Sequence, residues 1–267
     1  MSVSWLYEPT ESVGLLKSIL EYEQQWQEQF SIAEIEAELQ SVVSELQQAI
    51  KPELSAQENL YHLLDTLADE IGYTGPGLQM LPESALANLS FCIMHRTGNE
   101  ITLSIVFSYL LQQVGFKALI SDIPEGLALV VQLTQSEFVV VDALSGGSEY
   151  LISQQDVKEN LTDDIGRYAN RMDSDELLKI VLSDQKHAML DEGLFAEALN
   201  CVEVLMELLP EDPYERRDRG LVLNQLDCEA WAKDDLDYFV KACPNDPMAT
   251  FIRLQLEEQK QLIATIH

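Results

Sequence analysis

A short motif recurs in the last third of this chain at an interval of 34 residues. The string LLPEDP at 208–213 returns as ACPNDP at 242–247, and both strings keep the pattern Pro-x-Asp-Pro. A fixed period of this length is typical of helical hairpins that stack on one another, because a single hairpin cannot bury its apolar face alone. The interval therefore predicts helices throughout residues 176–267, and it constrains the fold more than any other feature of the sequence.

The positions inside this repeat resemble those of the tetratricopeptide repeat. Gly220 falls where the two helices of a hairpin approach closely, whereas Arg216 stands where a bulky residue is usual and Lys186 where Gly is usual. A helix over 248–266 would begin a third unit or serve as a cap. Since about three repeats are needed for independent stability, we expect the hairpins to pack on the rest of the protein, to bind a partner, or both.

The charge balance limits the partners that this chain can have. Its 16 Lys and Arg residues stand against 46 Asp and Glu residues, a formal net charge of -30 at pH 7. Such a chain repels phosphate backbones and anionic lipid, and nucleic-acid binding depends mainly on cationic contacts to phosphate. General nucleic-acid binding is therefore disfavoured. Acid-rich surfaces also occur in proteins of salt-adapted bacteria, so the charge can reflect habitat instead of function.

Cysteine and histidine spacing offers neither a disulfide framework nor a metal site. The four cysteines form no CxxC pair, so reduced thiols are expected. No two of the four histidines share i, i+4 spacing and no HExxH motif occurs, so we expect no metal and no cofactor. Because the start of the chain lacks a signal-peptide pattern and no apolar stretch approaches a membrane span, we expect a cytoplasmic protein.

Apolar periodicity predicts helices first and strands after them. Residues 34–46 carry one apolar stripe, with Ser31 and Glu34 as a predicted capping box, and residues 82–94 are predicted to form one short helix. Residues 101–114 are apolar nearly all round, which indicates a buried helix. Three strands are predicted after it, at Lys117–Ser121, Leu127–Leu133 and Glu137–Asp142. Residues 148–175 are predicted to be a polar connection with one or two short helices.

These elements predict an α+β chain that is mostly helical and has three parts. Residues 1–54 form an N-terminal helical region, residues 55–170 a core with a small antiparallel sheet, and residues 176–267 the helical hairpins.

The segment HRTGNEITLSIVFSYLLQQVGFKA at 95–118 resembles the core of the transglutaminase-like superfamily, a relative of papain-like folds. In that pattern a Gly-x-Cys motif opens a buried helix, where the N–H groups stabilise a thiolate, and the next strands supply a His and an Asp. Counting back from the Gly that ends the helix places the Cys position at Glu100. The His position falls on Gly126, and only the Asp position, at Asp142, keeps the expected residue.

The core is therefore predicted to be degenerate, because a carboxylate cannot act as the acyl-transfer nucleophile without a general base. Cys92 and His95, at i and i+3 on the preceding helix, are conceivable substitutes. A buried structural cysteine is the favoured interpretation of Cys92.

The combination of parts is similar to the bacterial SirB/YchA family. The residues that carry this resemblance are Arg96, Gly98 and Asn99 in the core and the string DPYERRDRGLVLNQLDCEAWAKDDLDYFV at 212–240. The resemblance implies a cytoplasmic protein of undefined biochemical role, sometimes linked to the regulation of gene expression.

The favoured hypothesis is a non-catalytic regulatory protein that binds a protein partner. Arg216, Arg217 and Arg219 lie on the first helix of the better repeat, where they could receive an acidic peptide or pair with acidic residues of the same chain. The alternative is a hydrolase or acyl transferase that uses Glu100 and Asp142 as acid and base, or as ligands of a cation. The partner and the oligomeric state stay open.

Overall fold

The computed structural model of the chain describes residues 12–27, 30–78, 80–123, 126–135, 137–145, 148–153 and 172–266. The chain divides into two compact units, Met1–Val181 and Leu182–His267. The first unit combines helices with one sheet and the second consists of helices, so the predicted α+β, mostly helical fold is confirmed. The finer division at residues 54 and 170 stays a prediction.

The N-terminal helices follow the apolar stripes of the sequence. They are α1 (Ser12–Glu23), α2 (Ile32–Ala49) and α3 (Ala56–Asp65), and a π-helical segment (Thr66–Ile71) extends α3. On α2, the predicted stripe is buried at Ile35, Leu39, Val42 and Leu46, while Val43 is half-buried. Gly72 ends the π-helical segment with φ +93°, a conformation that glycine adopts without strain.

The predicted capping box at α2 is wrong. Ser31 occupies the N-cap position, but its side chain makes no capping hydrogen bond. A complete capping box forms one helix later, where the Ser55 hydroxyl accepts from the Glu58 backbone N–H and Glu58 accepts from the Ser55 N–H. The same Ser-x-x-Glu spacing occurs at both helices, so spacing alone does not decide which pair closes.

The single helix predicted over 82–94 is two helices. They are α4 (Glu83–Leu86) and α5 (Leu89–His95). Asn88 separates them because its side chain accepts from the Phe91 N–H and so caps a new helix start.

The central helix, α6 (Glu100–Gln113), is buried over most of its surface, as its apolar sequence predicts. Asn99 caps its first turn by accepting from the Thr102 N–H, and Gly115 follows its end with φ +96°. Gln112 donates from Nε2 to the Ala118 carbonyl at 2.6 Å, which ties the end of α6 to the first strand.

The sheet has four antiparallel strands in the order β1-β2-β3-β4. Their bounds are β1 (Lys117–Ile123), β2 (Gly126–Gln132), β3 (Glu137–Asp142) and β4 (Ser148–Ser153). The sequence analysis missed β4, since it assigned residues 148–175 to a polar connection; the short helices predicted there fall mostly on 154–171, outside the described residues. Within the described residues β4 pairs only with β3, so a single neighbouring strand imposes its conformation.

The strand register separates the two faces of the sheet. Leu129 of β2 lies opposite Val141 of β3, so these two side chains share one face with Val131 and Val139. The other face carries a separate apolar cluster of Val130, Phe138 and Val140, with Ala128 packed against it. α6 packs on β1 and β2, where Ile105 of the helix meets Ile120 and Leu127 around one cavity.

The C-terminal helices form the predicted hairpins. They are α7 (Ser174–Asp191), α8 (Phe195–Leu208), α9 (Pro213–Gln225), α10 (Glu229–Ala242) and α11 (Pro247–Ile266). Between α7 and α8, the Cys201 thiol donates to the Leu182 carbonyl at 3.2 Å. Between α9 and α10, a Cβ atom placed on Gly220 would lie 2.7 Å from Leu236 Cγ, so the helices meet where the repeat predicts.

Candidate functional site

The start of α6 is the position where the sequence analysis places a lost nucleophile. Gly98, two residues before the helix, is buried so tightly that a Cβ atom there would lie 2.8 Å from Cys92 Sγ and would also clash with Thr102. Glu100 opens the helix and is exposed to solvent. A carboxylate in the first turn of a helix is favoured by the helix dipole, which accounts for Glu100 without a catalytic role.

Glu100 lies at the rim of a cavity of about 280 Å³ in the first unit. The other lining residues come from α6, the sheet and α7 and are mostly apolar: Ile101, Ser104, Ile105, Ile120, Leu127, Ala128 and Leu177. The cavity combines mostly apolar walls with one carboxylate among its described lining residues, which is the composition of a small-molecule site.

Asp142 ends β3 and is occupied by the turn that follows it. Its Oδ1 accepts from the N–H groups of Leu144 (3.0 Å) and Ser145 (3.2 Å), and its Oδ2 accepts from the Ser145 hydroxyl at 2.6 Å. The paired residues of β2 and β3 end at Leu129 and Val141, one residue before Asp142. Asp142 is not among the residues that line the cavity beside Glu100, and its carboxylate is engaged by the turn.

Gly126 is the first residue of β2 and pairs with Ile123 of β1. A glycine has no side chain that could serve as general base, so the strand provides only its backbone here. The helix start and the two strands that would carry the three predicted triad residues are all present. The predicted positions on them hold no thiol and no imidazole.

Cys92 is no substitute for the absent nucleophile. It is fully buried on α5, against Gly98, and burial raises the pKa of its thiol to about 12, although Thr102 hydrogen-bonds to it. His95 is exposed on the same helix, where its ring stacks on Phe91 with the centroids 4.3 Å apart. A neutral thiol in the core and an imidazole at the surface do not form a catalytic pair.

In the second unit, a buried ionic network joins α7 to α9. The Lys186 ammonium lies 2.9 Å from Glu215 and 2.7 Å from Asp218, and all three side chains are buried. Burial alone would lower the pKa of Lys186, but Asp218 and Glu215 raise it, so the lysine stays charged. Burial raises the pKa of Glu215, against the opposing effect of Lys186.

The sequence analysis noticed Lys186 only as a departure from the repeat. A signal was present, because a charged residue at a position that repeats normally bury requires an opposite charge on the neighbouring helix. Glu215 and Asp218, three residues apart on one helical face, supply it.

The three arginines of α9 differ in what they contact. Arg217 lies 2.6 Å from Asp218, and Arg219 makes a two-pronged pair with Asp235 at 2.6 and 2.8 Å. Arg216 stacks its guanidinium over the Tyr238 ring, 4.1 Å from its centroid. Its buried Nε has no hydrogen-bond partner among the described residues, so one donor of the Arg216 guanidinium is unsatisfied.

Two further properties concern metals and membranes. Within the described residues, no cluster of three or more His, Cys, Asp or Glu side chains is arranged to hold a metal ion. No helix in the described part of the chain combines the length and the apolar character needed to cross a bilayer.

Comparison with known families assigns a family model to each of the two parts of the chain. A family model described as the transglutaminase-like superfamily matches residues 33–185, more than half of the chain, and the chain therefore belongs to that superfamily. A second model, described as a tetratricopeptide repeat, matches residues 185–257. The protein thus combines a transglutaminase-like core with repeats of a class that serves in protein–protein interaction.

Individual relatives confirm the predicted resemblance to the SirB/YchA proteins. Protein SirB1 of Salmonella typhimurium is 29% identical over 236 residues, which cover 85% of this chain and 86% of the relative. The UPF0162 protein YchA of Escherichia coli K12 is 28% identical over 233 residues, with the same coverage. The UPF0162 protein BU173 of Buchnera aphidicola is 26% identical over 263 residues, 96% of each chain. No solved structure matches the chain.

Proposed function

We propose that this chain is a non-catalytic, cytoplasmic regulatory protein that binds a protein partner through its repeats. The observation that carries the proposal is the state of the ancestral site. The nucleophile position holds an exposed Glu100, and the nearest thiol, Cys92, is buried and has a raised pKa. A core that keeps the helix and sheet of the superfamily without its thiolate serves as a scaffold. The cytoplasmic location rests on the resemblance to the SirB/YchA proteins.

Arg216 is the residue that we assign to the partner. Because Arg217 and Arg219 are already paired with Asp218 and Asp235, they hold the repeat together instead of meeting a ligand. Arg216 is half-buried and its guanidinium is held over the Tyr238 ring, an arrangement that positions it for a carboxylate with little loss of side-chain freedom. The complementary partner surface is acidic.

The assignment is tested by capture with the full-length chain from native bacterial lysate, quantified by mass spectrometry. Arg216→Glu should reduce the captured partner by at least about tenfold, since it places two carboxylates in contact. Arg253→Glu is the matched control, because Arg253 is exposed on α11 and undergoes the same charge change. Equal capture by the two variants, with both folded by circular dichroism, would contradict the role of Arg216.

The alternative function is a hydrolase or acyl transferase that uses Glu100 and Asp142. The cavity beside Glu100 favours it, whereas the turn contacts of Asp142 do not. Screening of acyl, amide and ester substrates with wild type and Glu100→Gln decides between the two. Turnover that disappears in Glu100→Gln would establish the enzyme, and the scaffold proposal predicts no turnover in either protein.

A further inference from the structure

An open cleft of about 370 Å³ separates the start of α2 from α5, on a part of the first unit that the proposed function does not use. Its walls carry Phe30, Ser31 and Glu34 on one side and Phe91, Met94 and His95 on the other. The volume lies in the range of small-molecule sites, which combine apolar walls with a few polar groups.

The α5 wall of the cleft is rigidly held. The buried carboxylate of Glu23 accepts from the N–H groups of Leu89 (2.7 Å) and Ser90 (3.0 Å), and Asn88 accepts from the Phe91 N–H at 3.0 Å. These contacts fix the first turn of α5 and with it the ring of Phe91. A site on a capped helix is positioned before any ligand arrives.

The width of the cleft is also fixed. Arg96, directly after α5, donates to Glu38 of α2 at 2.9 Å and to the Ile71 carbonyl at 2.7 Å. The apolar stripe of α2, including Ile35 and Leu39, is buried. The two walls are therefore tied together by packing and by an ion pair, so the cleft exists in the ligand-free chain.

Two polar groups of the cleft, Ser31 and Glu34, form no capping box at the start of α2. Ser31 makes no capping bond, and Glu34 does not reach back to it, in contrast with the closed pair of Ser55 and Glu58. Glu34 is exposed and supplies the one carboxylate among the described lining residues, which include no Lys or Arg.

The apolar part of the cleft is aromatic. Phe91 and His95 form a tilted stack, 4.3 Å between centroids, and Phe30 stands in the same lining. Met94 is 45% exposed beside them. Aromatic faces attract cations through the ring quadrupole, and a methionine thioether adapts to irregular apolar ligands.

From these features we propose that the cleft binds a small organic cation with an aromatic or apolar body. The ammonium group pairs with Glu34 and donates a further hydrogen bond to the Ser31 hydroxyl oxygen, while the apolar body lies between Phe30 and Phe91. An anionic ligand would meet Glu34 with no basic side chain of Lys or Arg to offset the repulsion. The cleft thus selects by charge as well as by shape.

The test is an NMR titration of the full-length chain with isotope-labelled methionine methyl groups. The probes are phenethylammonium, neutral phenethyl alcohol and anionic phenylacetate. The Met94 methyl resonance, assigned with Met94→Leu, should shift saturably with phenethylammonium, and phenylacetate should bind at least about tenfold more weakly. Phenethyl alcohol should fall between them.

Two variants test whether Glu34 is the residue that recognises the charge of the ammonium probe. Glu34→Gln should weaken phenethylammonium binding about tenfold and leave phenethyl alcohol unchanged. Glu36→Gln, on the same helix but outside the cleft, should change neither. Absence of a saturable Met94 shift up to the solubility of the ammonium probe would overturn the proposal. So would equal affinity for the ammonium and the carboxylate, or an equal response of the two variants.

Discussion

At the scale of single residues, two glycines inside helices have opposite surroundings. A Cβ atom on Gly220 would lie 2.7 and 2.8 Å from Leu236 Cγ and Cδ2 and 3.1 Å from the Ala232 carbonyl, whereas nothing lies within 4 Å of one on Gly14. Gly220→Ala should therefore lower the free energy of unfolding by about 1–3 kcal/mol through overpacking. Gly14→Ala should raise it by up to about 1 kcal/mol, because alanine restricts the unfolded chain.

Urea denaturation of the two variants, followed by circular dichroism, measures both effects. A midpoint for Gly220→Ala equal to or above that of the wild type would contradict the close contact between α9 and α10.

The residue scale also shows where sequence reasoning is reliable. Gly220 was predicted as a close-contact position because the repeat fixes its place in the hairpin, and the structure has it there. The partners of the arginines could not be predicted, since Arg219 pairs with Asp235 on another helix and the chain offers many acidic alternatives. Which of the three arginines lacks an acidic partner depends on side-chain geometry, and the spacing of residues in the sequence does not determine that geometry.

At the scale of elements, the ionic network between α7 and α9 makes a strong prediction. Lys186→Ala would leave the buried Glu215 without its cation and Asp218 with Arg217 alone, and the loss of one partner from a buried pair costs about 3–5 kcal/mol. Lys179→Ala, on the same helix and without a buried carboxylate partner among the described contacts, should change the free energy of unfolding by less than about 0.5 kcal/mol.

Thermal and urea denaturation of the two lysine variants supply the check. Since the pKa of Lys186 is raised in the folded state, its stabilising effect is present below the ordinary lysine pKa and is lost as pH rises through the folded value. An alkaline loss of stability that persists unchanged in Lys186→Ala would assign that loss to other groups.

The boundaries of helices and strands were predictable from the sequence where an apolar stripe was long. They were uncertain where strand pairing determines the boundary. The stripe of α2 and the all-round apolar α6 fixed two helices from sequence alone. β4 was missed because its six residues mix polar and apolar side chains and acquire strand geometry only by pairing with β3. The split between α4 and α5 depends on the capping bond of Asn88, which competes with a continuous helix over a few residues.

At the scale of the whole molecule, the chain has kept a superfamily fold, and we propose that its site has lost the chemistry. The fold persists because many buried positions specify it together, as on α6 and on the inner face of the sheet. The activity of such a site depends on single residues, and the loss of the thiol at Glu100 and of the imidazole at Gly126 stays a prediction from sequence counting. The turn contacts that engage Asp142 depend on local geometry that the sequence pattern did not predict.

Alkylation of the native chain by iodoacetamide near pH 8, with each cysteine mapped by peptide mass spectrometry, distinguishes a scaffold core from a core with an active thiol, because only a thiolate reacts. Exposed Cys228 should be modified first. Cys92 and Cys201 should stay unmodified until the chain is unfolded, since both are fully buried and the pKa of Cys92 is raised to about 12. Modification of Cys92 in the folded chain at a rate equal to or above that of Cys228 would reveal an activated thiol in the core and contradict the scaffold assignment.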